Sequence, residues 1–277
     1  MKLYKIKNGI VIEHEEKFHF LKNENWNSFV NDDDLFKKMQ HSCNNKNKIN
    51  NEKELLSNIE ALIDSQEIWA SGVTYLRSKI GRQEESKNAG GGDFYARAYE
   101  AERPELFFKA LKNRVSNLGG KVRIRKDSTW NVPEPELTLM ITSSRKIVGY
   151  TIGNDMSSRS IEGENPLYLP QAKTYDGCAA IGPCIYVPEK SLSMYENISI
   201  KIKRNEKTVF EGEVNLNQLK RKPEELVSFL FKECSFANGC LLMTGTGIVP
   251  SSDFTLNSGD EIEITIYLIG TLKNTVE

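Results

Sequence analysis

Beyond residue 41 the chain contains no histidine; His14, His19 and His41 are the whole supply. No water-activating imidazole is available in the larger part of the molecule unless the first segment provides one. The five cysteines, Cys43, Cys178, Cys184, Cys234 and Cys240, are odd in number, and no two have the C-x-x-C spacing of a zinc or redox site. They read as reduced thiols of a cytoplasmic protein. Long apolar runs are missing too. No stretch approaches the roughly 18 apolar residues of a membrane span, and the opening "MKLYKIKNGIVIEHE" alternates without the continuous apolar core of a signal peptide. Charge of one sign is also lacking: 37 basic against 38 acidic residues leave a net charge of -1. That balance gives no general attraction to nucleic acid or to an anionic membrane. No internal repeat is found.

What is present suffices for one large or two unequal domains: 277 residues, of which 39% are hydrophobic. Residues 1–65 read as a small N-terminal α+β domain. Two short strands flank the turn Asn8-Gly9, "DDDLFKKMQ" and "NEKELLSNIEALI" read as helices, and the Asn-rich "NNKNKINN" between them reads as a loop. Residues 66–277 change character. Ten strand candidates occur there, from "EIWASGVTY" to "EIEITIYLIG", against one clear helix, "KPEELVSFLFKECS", with Pro223 in its first turn. The fold class expected is α+β, a β-rich mixed sandwich roll preceded by the small domain. The three glycines Gly90 to Gly92, inside a charged segment, read as the hinge of a mobile loop or as plain surface loop.

The most specific local feature is "WNVPEPE" at residues 130–136. On a strand, Glu134, Glu136, Thr138 and Met140 share one face, and Leu137, Leu139 and Ile141 the other. Pro133 and Pro135 hold this stretch extended at little conformational cost. Two carboxylates so close raise each other's pKa unless a cation lies between them. The prolines then preorganise a site for a hard metal ion; the alternative is a solvated edge strand with two exposed glutamates. A third acid favours the metal. "ELTLMI" and "KIVGYTIG" are joined by "TSSR", a β-hairpin pattern. A turn centred between Ser144 and Arg145 sets Asp155 opposite Glu134. Three converging carboxylates offer oxygen ligands only, which suits Mg²⁺, Mn²⁺ or Ca²⁺ rather than zinc. A register slip of one residue would turn Asp155 to the other face.

The run "VPEPELTLMI…GYTIGNDMSSRSIEGENPLYLPQAKTYDGCAAIGP", followed by "MTGTGIVP…LNSGDEIEITIYLIGTLKN", resembles the fumarylacetoacetate hydrolase family. Its E-x-E, the aspartate of N-D-x-S-x-R, the lysine of K-x-x-D and the late T-G-T loop appear in order over about residues 66–277. Within the family, "SGVTYLRS", "AERPELFFKA", "DSTWNVPEPEL" and "NPLYLPQAK" resemble the members that dehydrate 2-keto-3-deoxy sugar acids.

The resemblance implies that Glu134, Glu136 and Asp155 bind Mg²⁺, and that Glu105 and Lys173 are the catalytic groups. It places Lys173, Thr246 and Tyr75 at the substrate, a small 2-keto acid, and implies assembly as a homodimer or homotetramer. The activity implied is the conversion of 2-keto-3-deoxy-D-arabinonate to 2,5-dioxopentanoate. The alternatives on the same scaffold are a C–C bond hydrolase or a decarboxylase of a β-dicarbonyl acid. Members that cleave C–C bonds commonly carry a histidine in N-Y-x-x-H; after Tyr75, this chain has Ser78 at that place. Other roles remain open for two residues: Lys173 could pair with Asp176 or a metal-site glutamate, and Glu105 with Arg103.

Overall fold

The computed structural model describes residues 1–43, 47–49, 58–85 and 92–277. Its strands of four or more residues are β1 (Lys2–Ile6), β2 (Gly9–His14), β3 (Lys17–Lys22), β4 (Glu67–Gly72), β5 (Glu105–Ala110), β6 (Pro135–Ile141), β7 (Ile147–Asp155), β8 (Ala179–Tyr186), β9 (Asn197–Arg204), β10 (Lys207–Asn215), β11 (Cys240–Met243), β12 (Glu261–Ile266) and β13 (Gly270–Val276). The helices are α1 (Trp26–Val30), α2 (Leu35–Ser42), α3 (Leu76–Glu85), α4 (Gly92–Glu100), α5 (Arg159–Glu164), α6 (Leu169–Lys173) and α7 (Pro223–Leu230). Two sheets form. The larger runs β3-β2-β1-β8-β7-β6-β11-β4-β5, mostly antiparallel with a parallel β11–β4 pair. The smaller runs β10-β9-β12-β13. This is the mixed β-sandwich architecture expected.

The apolar face of β6, Leu137, Leu139 and Ile141, packs in one core with Ile198, Ile200, Ile202, Ile262, Ile264 and Ile266 of the smaller sheet. That sheet's inner strands β9 and β12 alternate from Asn197 to Lys203 and from Glu261 to Ile266, their outward residues being Asn, Ser, Lys, Glu and Thr, as half-solvated antiparallel strands do. The opposite face of the larger sheet is covered as well. Met140, Val148, Ile181 and Leu3 pack there with Trp26, Phe29 and Val30 of α1 and Leu35 and Met39 of α2. β6 is therefore buried along its whole length, and a solvated edge strand is ruled out.

The first segment does not stand apart in sheet terms. β1 pairs with β8, Lys2 opposite Tyr186 and Leu3 opposite Ile185, so one sheet crosses the expected boundary at residue 65. The β1–β2 hairpin turns at Lys7-Asn8, one residue before the expected Asn8-Gly9; Gly9 pairs with Ile6, has φ 151, and a Cβ there would come within 2.2 Å of the Leu21 carbonyl oxygen. β3 adds a third strand beside them. The helix expected over "NEKELLSNIEALI" is not seen in its described part: Ile59 bridges to Ile6, and residues 50–57 lie outside the described residues. Gly90 and Gly91 lie outside them too, and Gly92 opens α4. Helix α1 and helices α3 to α6 were not anticipated. The last expected strand is in fact a hairpin that turns at residues 267–269 between β12 and β13. No helix among the described residues is long and apolar enough to cross a membrane.

The central hairpin β6–β7 differs from expectation in an instructive way. Its loop is closed by Thr142 and Lys146, so the turn is centred on Ser144. Carried onward, that register would set Asn154 against Glu134. Instead Met140 pairs with Gly149 and Ile141 with Ile147, which leaves Val148 as an unpaired bulge residue. The bulge shifts the count by one, and the Glu134–Asp155 opposition is restored.

Candidate active site

The site forms where β6 and β7 begin and end. Glu134 and Asp155 exchange both backbone hydrogen bonds, at 3.2 and 2.9 Å, so their side chains leave the ladder side by side. Two residues further in, Glu136 faces Gly153, where a Cβ would come within 2.4 Å of Thr138 Oγ1 and 2.8 Å of Met243 Cε. The glycine leaves room for Thr138 and Met243 to pack beside the acids. Each of Glu134, Glu136 and Asp155 offers a carboxylate oxygen within 4.8 Å of the others. They are 5%, 1% and 0% exposed.

Three cations approach this cluster. Lys173, at the end of α6, donates to Glu134 Oε2 at 2.9 Å, Asp155 Oδ2 at 2.9 Å and Ser157 Oγ at 2.6 Å. Lys109 pairs with Asp155 Oδ1 at 2.5 Å. Arg159 donates to Glu134 Oε1 at 2.7 Å and is followed by Glu162, which pairs in turn with Arg82 of α3. Asp155 is thus held below the usual carboxylate range: burial raises it, but the Lys109 and Lys173 ammonium groups outweigh burial. Glu136 stands differently. It accepts the Gly245 N–H at 2.6 Å and makes no ion pair among the described residues. Burial, and then the charges of Asp155 and Glu134, push it well above the usual range.

The donor set fits a hard divalent cation. It consists of oxygen atoms only, it converges, and one of its three carboxylates has burial without a countercharge. Glu134, Glu136 and Asp155 are the residues that would hold the ion.

A narrow cleft opens beside the cluster, lined among others by Gly72, Ser78, Arg82, Phe107, Lys173 and Thr246. Glu105 is the cross-strand partner of Gly72, and a Cβ on Gly72 would collide with its carboxylate. Its Oε2 is buried and has no hydrogen-bond partner among the described residues. Arg103 does not pair with it and lies over the Phe229 ring instead. Lys173 takes the metal-site pairing left open for it, whereas Asp176 faces Arg114 and Arg123. Thr246 lines the cleft, its hydroxyl exchanging bonds with the Ile248 backbone. Tyr75 is not among the cleft-lining residues. Its ring packs against Gly247, and burial, then the Glu136 charge, push its phenol up. Ser78 bonds the Tyr75 backbone through its hydroxyl, at 2.7 Å to the carbonyl and 3.1 Å from the N–H.

Lys109, Arg82, Arg159 and Glu162 were not singled out from sequence. Arg159 stood in view as the arginine of N-D-x-S-x-R. Lys109 had a signal too, a lone charge in the apolar "LFFKA". Arg82 and Glu162 lie on helices that the sequence did not disclose, and nothing local marks them.

Comparison with known proteins agrees with this geometry. A protein of Haloferax volcanii named "Probable 2-keto-3-deoxyxylonate dehydratase" is 46% identical over 215 residues, 77% of this chain and 73% of that protein. The 2-dehydro-3-deoxy-D-arabinonate dehydratase of Saccharolobus solfataricus is 44% identical over 217 residues, 78% of this chain and 73% of that protein. Among solved structures, 2-keto-3-deoxy-D-arabinonate dehydratase complexed with magnesium and 2,5-dioxopentanoate superposes with a TM-score of 0.85 at 36% identity, covering 100% of this chain and 99% of the other. The sequence model of the fumarylacetoacetate (FAA) hydrolase C-terminal region matches residues 68–277, and the chain belongs to the fumarylacetoacetate hydrolase family.

Proposed function

We propose that the protein is an Mg²⁺-dependent hydro-lyase that dehydrates 2-keto-3-deoxy-D-arabinonate to 2,5-dioxopentanoate. The observation that carries this reading is the buried carboxylate trio beside a Glu105 oxygen with no hydrogen-bond partner among the described residues, in a chain similar over its whole length to a dehydratase complexed with magnesium and that product. A bound Mg²⁺ supplies Lewis-acid polarisation of the 2-keto group, worth several kcal/mol. The protein's own residues do the rest. Glu105 takes a proton from C3 and returns one to the C4 hydroxyl, which leaves as water. That elimination leaves a C3=C4 enone with its hydroxyl on C5; loss of a C5 proton and reprotonation at C3 give the 4,5-enol, which tautomerises by protonation at C4 to the 5-aldehyde. Lys173 spends its three N–H bonds on Glu134, Asp155 and Ser157; this supports a role as a fixed positive charge near the developing oxyanion, with Glu105 as the base. Thr246 contacts substrate from the Gly245 loop, and Tyr75 backs it from beneath. A C–C hydrolase needs a water-activating base, and the Ser78 hydroxyl is already engaged by the Tyr75 backbone. A cytoplasmic homodimer or homotetramer working in pentose degradation belongs to the same proposal.

The test is an assay with Mg²⁺ and 2-keto-3-deoxy-D-arabinonate, read for aldehyde and for pyruvate. Aldehyde is expected; pyruvate in its place overturns the dehydratase reading. Glu105→Gln should cut turnover by about 10²–10⁴-fold, with calorimetric Mg²⁺ binding unchanged.

A further inference from the structure

Lys109 is fully buried, yet it is not among the residues lining the cleft. It sits in β5 at the point where pairing with β4 slips: Ile68 faces Ala110 and Trp69 faces Phe108, so Lys109 is the extra residue of a bulge. Bulges of this kind re-aim a side chain. Here the ammonium is sent beneath the metal cluster. It pairs with Asp155 Oδ1 at 2.5 Å, donates to the Met156 carbonyl at 2.9 Å, and donates to the Lys173 carbonyl. Two carbonyls accept its hydrogen bonds and Asp155 takes its charge, so three different residues hold the ammonium. Those partners belong to two chain segments, the end of β7 and the end of α6.

We infer that Lys109 is a positioning residue for the reaction. It holds Asp155 Oδ1 while Lys173 holds Oδ2, and this fixes the carboxylate beside Glu134 and Glu136. Through the Lys173 carbonyl it also fixes the point from which the Lys173 side chain departs. One buried ammonium thereby sets the separation between a metal ligand and the cation next to it. A salt bridge placed only for stability would have no need to grip the Lys173 backbone. This inference rests on the reading of Glu134, Glu136 and Asp155 as the Mg²⁺ ligands.

The test compares wild type with Lys109→Arg and Lys109→Met, well below their melting temperatures, by Mg²⁺ calorimetry and by kcat and KM measured separately. Lys109→Met should weaken Mg²⁺ binding about 10–100-fold and lower kcat about 10²-fold, with KM at saturating Mg²⁺ little changed. Lys109→Arg keeps the charge but replaces a tetrahedral donor by a planar fork, so it should fall between the two. If the methionine variant does not fold, the arginine variant decides alone, with about a threefold or larger loss of Mg²⁺ affinity expected. A folded variant of either kind with Mg²⁺ affinity and kcat equal to wild type, and only a lower Tm, overturns the inference. A wild-type protein that binds no Mg²⁺ overturns the metal reading itself, so the two failures are distinguishable.

Discussion

The two faces of β6 are equally dry and chemically opposite. Leu137, Leu139 and Ile141 meet isoleucines of the second sheet. On the other side, Glu134 and Glu136 meet Asp155; Lys173 and Arg159 pair with Glu134, and Lys109 and Lys173 with Asp155. Burial alone therefore says little about what a position contributes. On the apolar face, removal from water stabilises the fold. On the charged face, desolvation opposes the ionised groups, and they are tolerated because cations surround them. One face holds the molecule together; the other holds a site at some cost to it.

That contrast can be broken from either side. The largest effect is expected from Glu136→Gln, which removes the carboxylate without a countercharge. Turnover should fall about 10³-fold or more, the equivalent of several kcal/mol of lost Lewis-acid assistance. In the presence of a chelator, urea denaturation at neutral pH should find the variant at least as stable as wild type, since a carboxyl that burial pushes above its unfolded-state range costs stability there. Leu139→Ala should do the reverse. It should cost about 2–5 kcal/mol in the same urea experiment, while Mg²⁺ affinity measured below the melting range stays within about twofold of wild type, because the metal site lies on the opposite face.

The smallest effect is expected at the far end of the hairpin. Asp33 accepts hydrogen bonds from the hydroxyls of Ser144 and Thr142, which hold its carboxyl below the usual range. A depressed carboxyl contributes stability above its unfolded-state pKa and loses it as pH falls through the folded-state value. The stability gap between wild type and Asp33→Asn should thus be present at neutral pH and close in acid. It should stay below about 1 kcal/mol, because the group is exposed and screened.

Much of the site was legible in the sequence because its signals are local. Proline next to glutamate, and an acid at hairpin distance, survive any reasonable reading of "VPEPE" and "GNDMSS". The smaller sheet was legible for a related reason: one wet face imposes alternation, and strand β9 stands where "NISIKIKR" placed it. The larger sheet was harder. With both faces covered, its strands lose their period, and "EIWASGVTY" gave no sign that α3 starts at Leu76. Helices α3, α5 and α6 carry Arg82, Arg159, Glu162 and Lys173, but they are short and packed into the site by contacts distant in sequence. Nor does a propensity announce the bulges at Lys109 and Val148. Each is a local irregularity that pairing with a remote or neighbouring strand creates.

The irregularity at Val148 makes hairpin length a determinant of chemistry. Between Met140 and Gly149 the chain keeps a parity count, and that count decides whether an amide or an acid meets Glu134, about 20 Å further along the strands. A single-residue insertion or deletion near the loop, harmless to solubility and remote from substrate, would exchange Asn154 for Asp155 unless a second one offset it. Natural or engineered changes in this loop should therefore be tolerated in compensating pairs.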